Sequence, residues 1–296
     1  MEKKIKNLHP RNKFNQEYDF IPLIKRVPEL KKQLIKTPDD RTSLDFRDPR
    51  SVFLLNKALL ESSYDLRGWE ILENSLCPSI PGRLNYIHYL ADLFKARPGK
   101  PVRVLDVGTG SSVIYPLLGA KEYGWHFVGS EVHKPSIQQA KNILAKNPEF
   151  RQTIELREQK NPDLILKGIT HAGEYFDAIM CNPPFYKSRE DYEKTVTKKN
   201  SKLHQTSEDL STNFKGLDNE LWVAGGEKKF ISQLIYESIE LKDQIGICTT
   251  LVSNKENIKP LRAILEYHKI QDIKVTTMQQ GNKISRILSW KLSGSK

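Results

Sequence analysis

The chain predicts an α/β fold, a seven-stranded mixed sheet with helices on its faces and a smaller module in front of it. Three observations carry this. From Val102 onward, short apolar runs alternate with helix-period segments, the rhythm of βαβ units. Two of these runs end abruptly in turn-forming residues, Asp106-Val107-Gly108-Thr109-Gly110 and Asn182-Pro183-Pro184-Phe185. The tail carries two β runs around Gln280-Gly281-Asn282, a hairpin that would add antiparallel strands at one edge.

Residues 1 to about 40 are polar and basic, with little periodicity. Five Lys or Arg and one acid fall between Met1 and Lys13, and that stretch, with Arg11 and Lys13, is read as an arm lying along phosphates. Asp48-Pro49 begins a helix with Val52, Leu55, Leu59 and Leu60 on one face. A loop with Pro78 and Pro81 leads to a second helical pattern from Arg83 to Leu93, and Pro98-Gly99-Lys100-Pro101 closes the module. The division expected is a mainly helical RNA-binding module over 1–98 and a sheet domain over 99–296.

The second part reads as strand 102–107, helix about 112–121, strand 125–130, helix 135–146, strand near 153–157 and strand 176–181. Then come helix 227–240, strand 244–252, helix 260–268 and the final β runs within 271–291. Between Tyr186 and Asp218 the chain turns polar, with six Lys or Arg from Lys187 to Lys202, among them Arg189. So long a polar stretch directly after Phe185 is expected to be a flexible, substrate-gripping loop over about 187–218.

A formal net charge of +11 and a pI near 9.3 suggest an anionic partner. No run approaches the roughly 18 apolar residues of a membrane span, and Met1-Glu2-Lys3-Lys4-Ile5-Lys6 lacks the apolar stretch of a secretory signal. A cytoplasmic protein away from membranes is expected. Cys77, Cys181 and Cys248 are far apart and show no metal-ligand spacing, so no metal site is expected and the thiols are read as packing.

The two turn motifs carry the chemistry. D-x-G-x-G at Asp106, Gly108 and Gly110 is shorter than the dinucleotide fingerprint. It suits a cofactor without a phosphate, such as S-adenosylmethionine, that needs close backbone approach beside its amino-acid end. An acid about 20 residues beyond such a turn is placed for ribose hydroxyls, and Glu131 fits. The Asn182 side chain and the next backbone carbonyl can each accept one N–H of an exocyclic amine, aiming its lone pair outward. Pro183 and Pro184 stiffen that turn, and Phe185 offers a face on which a base can stack. Related Asn-Pro-Pro loops also serve glutamine amides in proteins, and a catalytically silent RNA-binding assembly factor is a third possibility. Basic charge and the phenylalanine favour a nucleobase.

Leu8-His9-Pro10-Arg11-Asn12, Asn56-Lys57-Ala58-Leu59-Leu60, Leu76-Cys77-Pro78, Pro81-Gly82-Arg83, Tyr86-Ile87-His88, Ile114-Tyr115-Pro116-Leu117, Asn182-Pro183-Pro184-Phe185 and Gly225-Gly226-Glu227 together resemble the bacterial RlmF family over essentially the whole chain. More weakly, the chain resembles the eukaryotic enzyme that methylates U6 small nuclear RNA and messenger-RNA hairpins. The resemblance implies a class I Rossmann-like methyltransferase acting on N6 of one adenine in 23S ribosomal RNA, or in a large-subunit assembly intermediate, as a monomer. It implies that Arg83 binds the methionine carboxylate of S-adenosylmethionine, that Gly108 and Ser112 approach the same end, and that Glu131 takes the ribose. Gln159, Lys160 and Asn161 would lie around the cofactor adenine, and Asn182 would hold the target amine.

Overall fold

The computed structural model describes residues 7–73, 75–93, 99–184, 225–280 and 283–292. The first region forms α1 (Phe20–Arg26), the strand pair β1 (Leu34–Lys36) and β2 (Thr42–Leu44), α2 (Pro49–Tyr64) and α3 (Ile80–Ala91). The α1 helix and the β1–β2 ribbon lie where no element is expected from sequence. Few side chains there, such as Leu23, Leu30 and Leu44, are buried, too few to write a period. Asp19 caps α1 by accepting from the Ile21 N–H.

The α2 helix begins as Asp48-Pro49 predicts, the Asp48 carboxylate accepting from the N–H groups of Arg50 and Ser51. The α3 helix starts three residues before Arg83. Pro81 falls in its first turn, where a missing N–H costs nothing.

The remainder alternates β3 (Arg103–Val107), α4 (Ile114–Tyr123), β4 (His126–Glu131), α5 (Lys134–Lys146), β5 (Ile154–Glu158), β6 (Phe176–Cys181), α6 (Gly226–Glu240), β7 (Ile245–Val252), α7 (Ile258–Tyr267), β8 (Lys274–Gln280) and β9 (Lys283–Lys291). The sheet order is β5-β4-β3-β6-β7-β9-β8, with β9 antiparallel to β7 and β8. This is the Rossmann-like mixed sheet expected. The chain runs outward from β3 through β4 to β5, then returns to the other side of β3 with β6. The crevice between β3 and β6 is therefore the topological switch point.

Alternation along the strands splits the core into two layers. Val104, Phe127, Ala178 and Met180 face one cluster, which they share with α2, α3, α4, α5 and the amino-terminal Leu8 and Phe14. Leu105, Val107, Val128, Ile179 and Cys181 face the other, with Ile231 and Leu234 of α6, Leu261 of α7 and Trp290. The amino-terminal region thus covers one face of the sheet and shares its core. Among the described residues, no helix is long and apolar enough to cross a membrane.

Candidate active site

Three adjacent strands bring the motifs together. Val107 at the end of β3 pairs with Cys181 on β6 and with Ser130 on β4. Neighbouring strands lie about 4.8 Å apart, so Gly108, Asn182 and Glu131 leave the sheet side by side. They open into a cleft of about 290 Å³, whose lining includes Arg83, Gly108, Gly110, Ser112, Glu131, Asn182, Pro183 and Pro184.

Gly108 and Gly110 have φ of +71° and +66°, a region where L side chains are strained. A Cβ on Gly108 would meet nothing within 4 Å, so the bare backbone faces open space. The turn is held from below: the N–H groups of Gly108 and Thr109 both donate to the Ser130 carbonyl, at 3.0 and 2.9 Å. Glu131, 7% exposed, clamps it from the side. One carboxylate oxygen accepts from Gly110 N–H at 3.0 Å, and the other accepts from Val132 and His133 N–H at 2.8 and 2.9 Å. A carboxylate offers about four acceptor positions, which leaves room for a ligand hydroxyl. The sequence gives no sign of this clamp.

The turn extends through Val113, itself at φ +46°, so α4 starts two residues later than its pattern suggests and Ser112 stays in the loop. Trp69 donates its indole N–H to the Ser112 carbonyl at 3.1 Å and stacks on Phe53, ring centroids 5.7 Å apart. Leu76, Pro78 and Arg83 of the amino-terminal region complete this wall.

Asn182 presents a different situation. Its Oδ1 is buried with no hydrogen bond, as are both oxygens of Asp106, the Thr109 hydroxyl and the Tyr115 hydroxyl. Thr109, Tyr115 and Asn182 line the cleft, whereas Asp106 sits behind the lining and is only 1% exposed. Burial pushes the Asp106 carboxyl up to about 7; the neighbouring Thr109 hydroxyl opposes this, nearby Glu131 reinforces it and Arg83 opposes it. The Arg83 guanidinium lies 5.5 Å from the Tyr115 ring centroid. Burial also raises the Tyr115 hydroxyl to about 12, with Arg83 opposing. Buried polar atoms normally have partners, and this group collects acceptors and a cation around one end of the cleft. Such a set fits the zwitterionic end of an amino-acid-bearing cofactor: a carboxylate for Arg83, an ammonium toward Asp106.

Cys181, read as packing, is both in the core and in the cleft lining. Burial, with Asp106 as the next contributor, raises its thiol well above the ordinary value and keeps it neutral.

Lys160 and Asn161 do not line the cleft; their neighbour Gln159 does. Gln159 continues the ladder beyond β5, its N–H donating to the Glu131 carbonyl at 2.9 Å. Its side chain turns inward, accepting from Asn161 N–H and donating to the Lys167 carbonyl. The chain then bends as Asn161 Oδ1 accepts from Asp163 N–H, which ties that side chain to its own backbone and leaves Lys160 exposed. Pro162, Leu164 and Ile165 supply apolar lining instead, as does Phe230.

The described part of the basic arm is docked rather than free. Leu8, His9, Asn12 and Phe14 are buried. The His9 N–H donates to Asn85 Oδ1 at 2.5 Å, and Asn12 Nδ2 donates to the Pro81 carbonyl at 2.9 Å. Arg11 pairs with Asp92, and Lys13 pairs with Glu122 at 2.7 Å while lying 4.3 Å over the Tyr64 ring. Both cations remain close to half exposed. Phe185, Lys187, Arg189 and the basic loop lie outside the described residues.

Thr109, Tyr115 and Phe230 are not singled out as site residues by the sequence. Thr109 is inside the glycine motif and legible there; Phe230 carries no local signal.

A family described as RNA methyltransferase matches residues 2–293. The chain is 44% identical to "Ribosomal RNA large subunit methyltransferase F" of Citrobacter koseri, covering 96% of this chain and 92% of that protein. It is 43% identical to the protein of the same name from Bacteroides fragilis, covering 96% and 98%. Among solved structures it resembles the hMettl16 catalytic domain in complex with hairpin 1 of the MAT2A 3'UTR, with TM-score 0.84, 30% identity, and 96% and 95% of the two chains covered. It also resembles the amino-terminal domain of human METTL16 in complex with SAH, with TM-score 0.76, 28% identity, and 96% and 98% covered.

Proposed function

The chain belongs to the family of ribosomal RNA large subunit methyltransferase F, and on that premise we propose that it methylates N6 of one adenine in 23S ribosomal RNA, using S-adenosylmethionine. The observation that supports this most is the register that sets Gly108, Asn182 and Glu131 on three neighbouring strand ends around one cleft. In this reading Arg83 takes the cofactor carboxylate as a bidentate fork, and Gly108 and Ser112 bound the same end. Asp106 acts from behind the lining on the ammonium. Glu131 accepts a ribose hydroxyl, and Gln159, Pro162, Leu164 and Ile165 pack on the cofactor adenine.

Bound S-adenosylmethionine supplies an electrophilic methyl on a sulfonium. The unpartnered Oδ1 of Asn182 accepts one N–H of the target amine, and the carbonyl of Pro183 accepts the other. Together they hold the nitrogen with its lone pair toward the cleft. Holding both reactants in line replaces a bimolecular encounter. The target adenine must leave its stack, at a cost of a few kcal/mol, offset by Phe185 stacking and phosphate contacts. Arg11, Lys13, Lys187 and Arg189 serve that RNA contact, the first two from docked positions. The protein acts as a monomer in the cytoplasm, on free 23S RNA or a large-subunit assembly intermediate.

Mass-spectrometric mapping of N6-methyladenosine in ribosomal RNA from cells with and without this protein tests the proposal. One adenine should lose its methyl group in the deletion strain. An unchanged map contradicts it.

A further inference from the structure

We propose that Glu237 of α6 is a positioning residue that sets the adenine wall of the cofactor cleft. Its carboxylate is 4% exposed and lies under three consecutive backbone donors. Ile165 N–H reaches both oxygens at 3.1 Å, Leu166 N–H reaches one at 2.7 Å, and Lys167 N–H reaches the same oxygen at 3.0 Å. Successive N–H groups pointing inward form an anion-binding nest, and here a side chain from about 70 residues away in sequence fills it. Ile165, whose N–H is held, is itself a lining residue beside Leu164 and Pro162.

One face of α6 serves this wall. Phe230, Gln233 and Glu237 follow at three- and four-residue spacing, which aligns them on a helix. Phe230 lines the cleft directly. Gln233 donates to the Asp163 carbonyl and, at 2.9 Å, to Glu237. From the other side Gln159 holds the Lys167 carbonyl. The segment 163–167 is thus fixed at its carbonyls by two amides and at its N–H groups by one carboxylate. With the charge removed, the nest loses a charge-assisted acceptor, and the wall at Leu164 and Ile165 loses its fixed distance from Glu131.

The inference rests on the reading of this strip as the adenine wall, and the test separates the two. S-adenosylhomocysteine is titrated calorimetrically into the full chain carrying Glu237→Gln, Gln233→Ala or Glu131→Ala. Glu237→Gln should weaken binding about tenfold, and Gln233→Ala should weaken it about threefold. In turnover assays with Glu237→Gln the loss should fall on KM for the cofactor, with kcat at saturation moving far less. Wild-type affinity in Glu237→Gln and Gln233→Ala, even with a lowered Tm, overturns the proposal and leaves Glu237 a fold-stabilising residue. If Glu237→Gln does not fold, Gln233→Ala decides, since Gln233 is only partly buried. Wild-type affinity in Glu131→Ala as well shows that the cofactor reading of the cleft has failed rather than the buttress.

Discussion

The two halves of the cleft differ in how they treat their polar atoms. On the β3–β4 side every group needed to shape the glycine turn has a partner: Gly108 and Thr109 N–H on Ser130, Gly110 N–H on Glu131, the Ser112 carbonyl on Trp69. Beyond the end of β6, the Asn182 Oδ1 is buried without a partner. A buried polar group left unpaired costs about 1–3 kcal/mol. The first half is a scaffold completed by folding; the second is completed by ligands. Residues of the first half should therefore act on binding and stability, and Asn182 on the chemical step.

The largest effect is expected from Asn182→Ala. Loss of a group that engages the transferring nitrogen should lower single-turnover methyl transfer by about a hundredfold to a thousandfold, the range for removing one oriented polar group at a reacting centre. A near-normal rate would place the amine elsewhere. Next, Glu131→Ala should weaken S-adenosylmethionine binding by about 1.5–3 kcal/mol and also lower Tm, because three backbone donors lose their acceptor. Binding loss without a drop in Tm would mean the clamp contributes nothing to the fold.

Asp106 sharpens the comparison through pH. Its carboxyl is raised to about 7 by burial, against roughly 3.9 in an unfolded chain. Between those values the folded state holds a proton that the unfolded state has released, so the stability of the ligand-free protein should fall as pH rises from about 4 to 7 and level off above. Asp106→Asn should flatten that slope in thermal melts across the range. An unchanged slope would assign it to another group. The smallest effect belongs to Lys160→Ala, which should leave cofactor affinity within about twofold. A larger loss would put Lys160 at the cleft after all.

Where the sequence was informative, the backbone needed a particular residue type. Gly108 and Gly110 must adopt positive φ, and Pro49 after Asp48 fits a first helical turn. What stayed hidden depends on side-chain direction or long-range pairing. Asn161 is turned away by a bond to Asp163 N–H, Lys13 is drawn onto Glu122, and Glu237 satisfies donors far off in the chain. The β1–β2 ribbon stayed hidden for another reason, its strands being too short and too exposed to alternate.

Calorimetric titration of S-adenosylmethionine into Asn182→Ala and Glu131→Ala side by side tests most directly whether the two halves are separable. The expected result is affinity within about threefold of wild type for Asn182→Ala and a loss of about tenfold or more for Glu131→Ala. The reverse ranking, or equal losses in both, would contradict the division of the cleft into a completed cofactor scaffold and an open substrate half.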